Sequence, residues 1–378
     1  MRHITRNVLI LFLILLGFSL YTSFAKPAEG NPITAESTTT PSVVESDPIE
    51  EAVAKMSTDE KIGSLLILGF RGPIINEHIK ELVQKYHVGG VNLLGWNITD
   101  AAQAQKLSKD LQDLYAEDHD LPFIVAADQE GGTVVRFKFF NEKTAATNVK
   151  TTADAIRIAR VRANELKSVG INMNFAPVVD FITDKKSYLY DRTFATTTEG
   201  TIALGKAMTD TYLANGIMPV FKHFPGYGNS TINPHTSVTQ FDGTQEMYQQ
   251  NIKVFQSLLT ATTTVPVMTA HIIVPWVSKL PATKSPEFMT QILRKEFKYQ
   301  GVVITDDLDM ASVGNNQGQS GVDAILAGAD ILISTPNDAN HIILINALKK
   351  AVAGGVITKE RLDQSAYKVL KMRMALKK

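Results

Sequence analysis

The stretch GTIALGKAMTDTYLANGIMPVFKH, residues 200–223, contains the two patterns that decide the fold. Its first part, residues 200–216, has the apolar spacing of a helix, whereas IMPVFKH is apolar almost throughout, as in a strand buried on both faces. The run ends on Lys222 and His223, so two polar side chains stand where a predicted strand meets a loop. A helix that leads into a fully buried strand is the repeating unit of a parallel sheet.

The same alternation recurs along the chain, where short apolar runs of β type are separated by longer segments of helical period. Eight such units predict a (β/α)₈ TIM barrel, and we expect it to form a single catalytic domain over residues 47–378. A doubly wound open sheet is the alternative, because periodicity alone does not close a sheet. The predicted strands are residues 64–70, 88–95, 122–128, 170–177, 217–223, 265–271, 301–307 and 330–334.

Composition excludes several classes of function. The chain has 38 basic and 38 acidic residues and no basic run, so we expect no nucleic-acid partner. It has no cysteine, which removes disulfides, thiolate metal sites and a cysteine nucleophile. No GxGxxG or GxxxxGK[ST] pattern follows a predicted strand, so we expect no cofactor. The expected partner is a small or neutral molecule.

The N-terminus predicts export. Arg2 and Arg6 precede an apolar run over residues 8–20, and Ser-Phe-Ala at 23–25 fits a small-x-small cleavage pattern. Residues 1–25 are therefore expected to be a signal peptide or an N-terminal membrane anchor, and residues 26–46, rich in Pro, Ser and Thr, a flexible linker. We expect an extracellular, periplasmic or envelope-associated protein, with membrane or cell-wall association through the N-terminus as one form of it. Folding should begin near Asp47, an N-cap followed by proline.

Polar residues follow most of the predicted strands. In a barrel these positions share the C-terminal rim, where catalytic side chains from different strands converge. Asp306 lies nearer its strand than Asp307, which we expect to cap the next helix, so Asp306 is the candidate nucleophile. Glycoside hydrolysis needs such a carboxylate beside the anomeric carbon and a proton donor near the leaving oxygen. The rim residues are Asn97, Asp128, Asp180, Lys222, His223, His271, Asp306 and Asp307.

A zinc site is the competing interpretation of the same residues, since His223, His235, His271 and Asp128 are all of ligand type. No HxH or HExxH spacing supports it, and we expect no metal. A serine nucleophile has less support still, because no GxSxG pattern is present.

Six ordered motifs resemble those of the bacterial β-N-acetylglucosaminidases of glycoside hydrolase family 3. They are DQEGG with Arg136, NFAPVVD, DRTF, KHFPGxG with a later histidine, VMTAH with PATxSP, and GVVITDDLDM. The resemblance extends from about residue 50 to the C-terminus. It implies a TIM barrel that cleaves its substrate by a retaining double displacement through a covalent glycosyl-enzyme intermediate, with Asp306 as nucleophile. The substrate-binding residues that it implies are Asp128, Arg136, Arg192, Lys222 and His223. The rim residue His271 is a further candidate for substrate binding.

The resemblance also implies that the acid/base is a histidine on the loop after strand five, with an aspartate two residues before it. The family pattern is approximately KHFPGHGDTxxDSH, and this chain has KHFPGYGNSTINPH. His235 keeps the acid/base position, but Asn233 occupies the position of its dyad partner, and Tyr227 and Asn229 are further departures. Asparagine can accept from an imidazole N–H, yet it lacks the charge that stabilises the imidazolium.

Three functions follow. The first is an exported retaining β-N-acetylglucosaminidase (a β-N-acetylhexosaminidase) that removes terminal GlcNAc from oligosaccharides derived from the cell wall or from chitin, with a role in peptidoglycan turnover. The second is a family 3 β-glucosidase or β-xylosidase, because KHFxGYG is closer to glucosidase loops. The third is a carbohydrate-binding protein of weak catalytic power that keeps the sugar-binding residues but has Asn233 in place of the dyad aspartate. The sequence makes no prediction about oligomeric state.

Overall fold

The apolar runs form the strands of one parallel sheet. The computed structural model describes residues 47–314 and 316–377, and within them nine strands join this sheet while two more, β7 (Thr239–Gln240) and β9 (Ile272–Ile273), pair with each other. Every neighbouring pair in the large sheet is parallel. Its strands are β1 (Leu66–Leu68), β2 (Gly90–Leu93), β3 (Ile124–Ala127), β4 (Met173–Asn174), β5 (Met218–Pro219), β6 (Phe221–Phe224), β8 (Val267–Thr269), β10 (Val303–Asp307) and β11 (Ile331–Ser334).

The sheet closes at the stretch quoted above. Its order is β5-β4-β3-β2-β1-β11-β10-β8-β6, so β5 and β6 lie at the two ends of the series. These two strands are consecutive in the chain and only Val220 separates them. The N–H of Val220 donates to Ala176 on the β4 side at 3.0 Å, and the N–H of Phe221 donates to Pro266 on the β8 side at 3.1 Å. One extended segment therefore bridges both edges, which confirms the (β/α)₈ barrel and removes the open-sheet alternative.

Helices connect the strands, and each α-helix among the described residues has a side-chain cap at its N-terminus, whereas the π-type helix has none. Asp47 caps the first helix with Pro48 behind it, as expected, and Ser57 forms a capping box with Glu60 at the second. The helices are α1 (Pro48–Lys55), α2 (Thr58–Ser64), α3 (Glu77–Gln84), α4 (Ala101–Ala116), α5 (Thr152–Ser168), α6 (Thr198–Ala214), α7 (Gln245–Ala261), a π-type helix (Glu287–Glu296), α8 (Gln317–Ala327), α9 (Asp338–Ala353) and α10 (Lys359–Ala375).

The predicted strands were too long at their ends. Residues 64–70 begin inside α2, and only Leu66–Leu68 pair as a strand. Residues 170–177 reduce to Met173–Asn174, because the N–H of Ala176 turns back to the Asn174 carbonyl at 2.8 Å and interrupts the regular ladder. An apolar run indicates burial, and burial continues past the last residue of a regular strand, which is why the pattern overestimates strand length.

Most buried apolar residues among those described form one large core around the barrel, and a second, smaller core of Val53, Ala366 and Leu370 lies between α1 and α10. Among these residues no helix is both long enough and apolar enough to cross a bilayer. The predicted signal peptide or anchor, residues 1–25, and the predicted linker, residues 26–46, lie outside the described part of the chain.

Candidate active site

A cluster of charged side chains lies at the C-terminal rim of the barrel. Lys222 projects from β6 and is 1% exposed. Its Nζ lies 2.8 Å from an Asp128 oxygen and 2.6 Å from a Glu130 oxygen. Arg136 contacts the second Asp128 oxygen at 3.1 Å, and Arg192 binds Glu130 through two N–H groups at 2.8 Å each. These five residues, three cations and two carboxylates, are called the charged clamp below.

The cations of the charged clamp keep both carboxylates ionised. Burial by itself would raise the pKa of Asp128, but Lys222 and Arg136 outweigh it and hold the pKa well below its usual range. Burial likewise opposes ionisation of Glu130, but the charges of Arg192 and Lys222 lower its pKa to about 2. The clamp therefore offers fixed donors and acceptors that fit a ligand with many hydroxyl groups.

Glu130 is a member of the clamp that the sequence analysis did not select. It stands two residues after Asp128 in the family motif DQEGG, and the family resemblance assigns no role to this glutamate. The next residue, Gly131, has φ of +90°, and a Cβ there would lie 2.1 Å from the Thr144 carbonyl oxygen. Only glycine fits this turn, and the turn brings both acids to Lys222. An acid directly before two glycines was the available signal.

His223 is held by Asp180, a residue that was predicted to lie on the rim without being assigned a role. Asp180 is buried, and its carboxylate accepts from the backbone N–H of His223 at 2.8 Å and from the ring Nδ1 at 3.0 Å. The same carboxylate accepts from the N–H of Tyr227 at 2.9 Å. On the other side of the ring, Nε2 lies 3.4 Å from Nη2 of Arg192. Asp180 thus orients His223 toward the charged clamp.

Asp306 ends β10 and accepts the N–H of Asp307 at 2.8 Å. Burial alone would raise its pKa, but His223, His271 and that N–H outweigh burial, with a smaller contribution from His235, so the pKa lies below its ordinary value. Three of the predicted site histidines are therefore within electrostatic reach of this carboxylate. A rigid, ionised carboxylate beside the clamp fits the predicted nucleophile.

Asp307 does not cap a helix, contrary to the prediction. The cap of α8 is Asn316, and the Asp307 carboxylate turns instead toward the end of β11. It accepts from the N–H of Thr335 at 3.0 Å, from the Thr335 hydroxyl, and from the N–H of Asp309 at 3.0 Å. Burial raises its pKa to about 7. The side chains of adjacent strand residues point to opposite faces, which separates Asp307 from Asp306.

His271 is placed below the site rather than on its open face. It is fully buried, with Nε2 donating to the Asp307 carbonyl at 2.9 Å and Nδ1 lying 2.7 Å from the Thr283 hydroxyl. Burial lowers its pKa. Because protein groups occupy both nitrogens, this arrangement supports the end of β10, and a direct sugar contact by His271 is not what the geometry favours.

The loop after β6 carries His235, which is exposed. The side-chain carbonyl of Asn233 accepts from the backbone N–H of His235 at 3.0 Å, so in this structure Asn233 caps the turn instead of the imidazole. Asn229 holds the loop to the β4–α6 connection through N–H groups of Thr183 and Asp184, both at 3.0 Å. The loop therefore uses both asparagines as backbone acceptors.

The structure also answers the predictions for Asn97 and for the competing zinc site. Asn97 is buried and donates to the carbonyls of Phe70 and Gly72 at 2.9 and 2.8 Å, so it fixes the β1–α3 connection and does not face the site. The residues proposed for the competing zinc site are engaged with the protein groups described above, apart from His235. They do not form a close ligand group among the described residues.

Fold and site together define a barrel protein of the glycoside hydrolase class. The family model described as "Glycosyl hydrolase family 3 N terminal domain" matches residues 57–372. That range is most of the chain, and the chain belongs to this family.

Similar proteins carry related names. The beta-hexosaminidase A of Pseudoalteromonas piscicida is 28% identical over 372 residues, which cover 86% of this chain and 62% of that protein. The beta-hexosaminidase of Photobacterium profundum is 29% identical over 290 residues, 75% of this chain and 85% of that protein. A solved family 3 beta-N-acetylglucosaminidase from Paenibacillus sp. str. FPU-7 has 30% identity and a TM-score of 0.81, covering 85% of this chain and 63% of that one. The chain thus spans a little over three fifths of two of these relatives.

Proposed function

We propose that this protein is a retaining β-N-acetylglucosaminidase that removes terminal β-linked N-acetylglucosamine. The observation that carries the proposal is the ionised Asp306, held by β10 beside a clamp of buried opposite charges. The names of the similar proteins support this choice of sugar.

The reaction follows from the roles of two residues. In the first step a carboxylate oxygen of Asp306 forms a bond to the anomeric carbon, the glycosidic bond breaks, and the imidazolium of His235 gives its proton to the leaving oxygen. In the second step a water molecule loses a proton to His235 while its oxygen displaces Asp306 from the same carbon. Two inversions leave the configuration of the sugar unchanged. The charged clamp binds hydroxyl and acetamide groups and keeps the anomeric carbon within reach.

The position of Asn233 supports the catalytically weak alternative. Its side chain serves the backbone of His235, and within the described residues no hydrogen bond joins a carboxylate to that imidazole. A carboxylate beside a histidine stabilises the imidazolium. Without one, a smaller fraction of the histidine carries the proton near neutral pH, so donation to a poor leaving group is less effective. Substrates with good leaving groups depend less on the proton and should be cleaved faster.

A substrate panel tests these functions. We expect hydrolysis of nitrophenyl β-N-acetylglucosaminide, little hydrolysis of the glucoside, a β-configured first product by NMR, and loss of turnover in Asp306→Ala. The matched control is Asp210→Ala, an exposed aspartate on α6. Equal or better cleavage of the glucoside would favour a β-glucosidase. Sugar binding without turnover of either substrate would favour the carbohydrate-binding protein.

We also propose that the protein acts outside the cytoplasm, on cell-wall saccharides containing GlcNAc and MurNAc or on chitin fragments. The basis is the N-terminal sequence, with two arginines before the apolar run over residues 8–20. Fractionation of cells that express the full chain, with the N-terminus of the recovered protein determined by mass spectrometry, tests both export and cleavage. Recovery of the intact chain from the cytoplasm alone would contradict it.

A further inference from the structure

Two histidines meet at the seam between the first and last units of the barrel. His78 lies on α3, which follows β1, and His341 lies on α9, which follows β11. Strands β1 and β11 are paired neighbours, so the two helices start side by side at the C-terminal rim. Nε2 of His78 is 3.0 Å from Nδ1 of His341, and the rings stack with centroids 5.3 Å apart.

The hydrogen bonds of His341 decide which of its nitrogens has a free lone pair. Its Nε2 lies 3.2 Å from the Ser334 carbonyl, and because a carbonyl only accepts, Nε2 carries the proton. Nδ1 of the neutral ring therefore presents a lone pair to His78. A backbone carbonyl behind the distal nitrogen is the usual support of a metal-binding histidine, because it fixes the tautomer and the ring orientation. His341 is fully buried, so this orientation is fixed.

Asp338 adds a carboxylate to the same place. It stands three residues before His341 on α9, a spacing that puts both side chains on one face of the helix. Its Oδ1 lies 3.6 Å from Nε2 of His78, and the three ligand atoms are all within 4.8 Å of one another. Zinc–nitrogen bonds of about 2.0–2.1 Å in a tetrahedral site separate two ligand atoms by about 3.3 Å, so small side-chain movements would complete it.

We propose that His78, Asp338 and His341 form a binding site for a divalent cation of the zinc class. Two imidazoles and one carboxylate suit zinc, cobalt or nickel, whereas magnesium and calcium prefer oxygen ligands. Asp338 is 60% exposed and borders a surface depression with Arg71, which leaves an entry path and room for water as fourth ligand. The ion ties α3 to α9 across the seam. Sequence spacing gave no sign of this site, because His78 is 263 residues from His341.

The same seam reaches the loop after the nucleophile strand. The Ser334 hydroxyl donates to Asp309 at 2.7 Å, and the Asn340 amide donates to the other oxygen of that carboxylate. Ser334 and Asn340 both lie within seven residues of His341. A metal ion at the seam therefore stabilises the part of the rim that borders Asp306, apart from any role in the reaction.

Metal titration of the full chain tests the site. The protein is prepared without a polyhistidine tag, treated with a chelator and desalted, and then titrated with Co²⁺ and, separately, Zn²⁺. We expect a visible Co²⁺ absorption that saturates at one equivalent, and a rise in the unfolding midpoint with added Zn²⁺. His78→Gln and Asp338→Asn should each weaken Co²⁺ binding by about 100-fold or more, since even outer-shell changes cost about 10–100-fold.

Two controls separate this site from other histidines. His119→Gln alters the second pair of neighbouring histidines, His87 and His119, and should leave the Co²⁺ spectrum unchanged. His235→Gln removes the exposed active-site histidine and should also leave it unchanged. Binding that survives His78→Gln and disappears in His235→Gln would place the ion at the active site and overturn the proposal. So would the lack of any Co²⁺ spectrum or Zn²⁺ stabilisation at millimolar metal, which would make the histidine pair a plain hydrogen bond.

Discussion

Replacement of Lys222 by methionine is the sharpest test of the charged clamp as the organising feature of the site. Lys222→Met keeps the apolar stem of the side chain and removes its charge. The parent ammonium contacts Asp128 at 2.8 Å and Glu130 at 2.6 Å while almost fully buried. Each carboxylate keeps one arginine in the variant, Arg136 or Arg192, so neither is left without a cation.

The expected loss of stability equals the energy of the two broken charge contacts minus the cost of burying the ammonium. The variant loses one charged hydrogen bond, to Asp128, and one close ion pair, to Glu130, and we take each contact as worth about 1.5–3 kcal/mol. Relief from burying an ammonium returns part of that sum, so we expect a loss of about 2–4 kcal/mol in the free energy of unfolding. At about 2 °C per kcal/mol for a large domain, the unfolding midpoint should fall by about 4–8 °C.

The assay is thermal unfolding followed by circular dichroism at pH 7.5, with Lys206→Met as control. Lys206 pairs with Asp210 on the exposed face of α6 at 2.6 Å, and such a surface pair is worth less than about 1 kcal/mol. A Lys222→Met variant no less stable than this control would refute the reasoning. It would mean that the desolvation cost of the buried lysine cancels its two ion pairs.

The pH dependence gives a second check on the same variant. The parent pKa of Glu130 is lowered from 4.5 to about 2, so its contribution to stability is present above 4.5 and is lost as the pH falls toward 2. Without Lys222 the pKa rises. The stability difference between variant and parent should therefore be largest near neutrality and shrink below about pH 4.5. A difference that grows on acidification would contradict this assignment.

Three further predictions concern the nucleophile strand and the acid/base loop. Asp306→Asn should lower kcat by about 10⁴-fold or more while sugar binding is kept, as measured by kinetics and calorimetry; an active variant would remove Asp306 as nucleophile. Asn233→Asp should raise kcat about tenfold on an unactivated disaccharide and less on nitrophenyl substrates, because a negative charge beside His235 favours the imidazolium; an equal gain on both would argue against proton donation. For Asp307, burial raises the folded pKa from 3.8 to about 7, so its contribution to stability is present below 3.8 and is lost as the pH rises to about 7. Asp307→Asn should flatten the unfolding midpoint over that window, and an unchanged slope would show that other groups set it.

The barrel could be predicted from the sequence because its signal is repeated and local. Each buried strand must be apolar on both faces, and each connecting helix must carry an apolar stripe. The eight units therefore repeat the same sequence pattern eight times. Strand ends were less predictable. At residues 170–177, for example, the regular strand ends at Asn174, whereas burial and single backbone hydrogen bonds to the neighbouring strands continue to Ala176.

The position of the site was predictable for the same reason, since parallel strands bring their carboxyl ends to one rim. That rule placed Asp306, Lys222 and His223 at the rim, and the family resemblance gave them their roles. The roles of Asp180 and Glu130 were not predictable, because a carboxylate in a sequence does not say which cation or N–H it will accept from. The direction of Asn233 was equally open, because an asparagine can serve either a ring or a backbone.

The sequence by itself determined the architecture, the rim and the type of chemistry, since all three depend on burial pattern and residue type. Only the tertiary structure decided which groups the side chains of the site contact. It placed Lys222 between two acids that lie more than 90 residues away in the chain, turned Asp307 away from Asp306, and kept His271 beneath the site. It also brought His78 to His341 across the closure of the barrel. These contacts join distant segments, and their energies depend on distances of a few tenths of an ångström that no local pattern records.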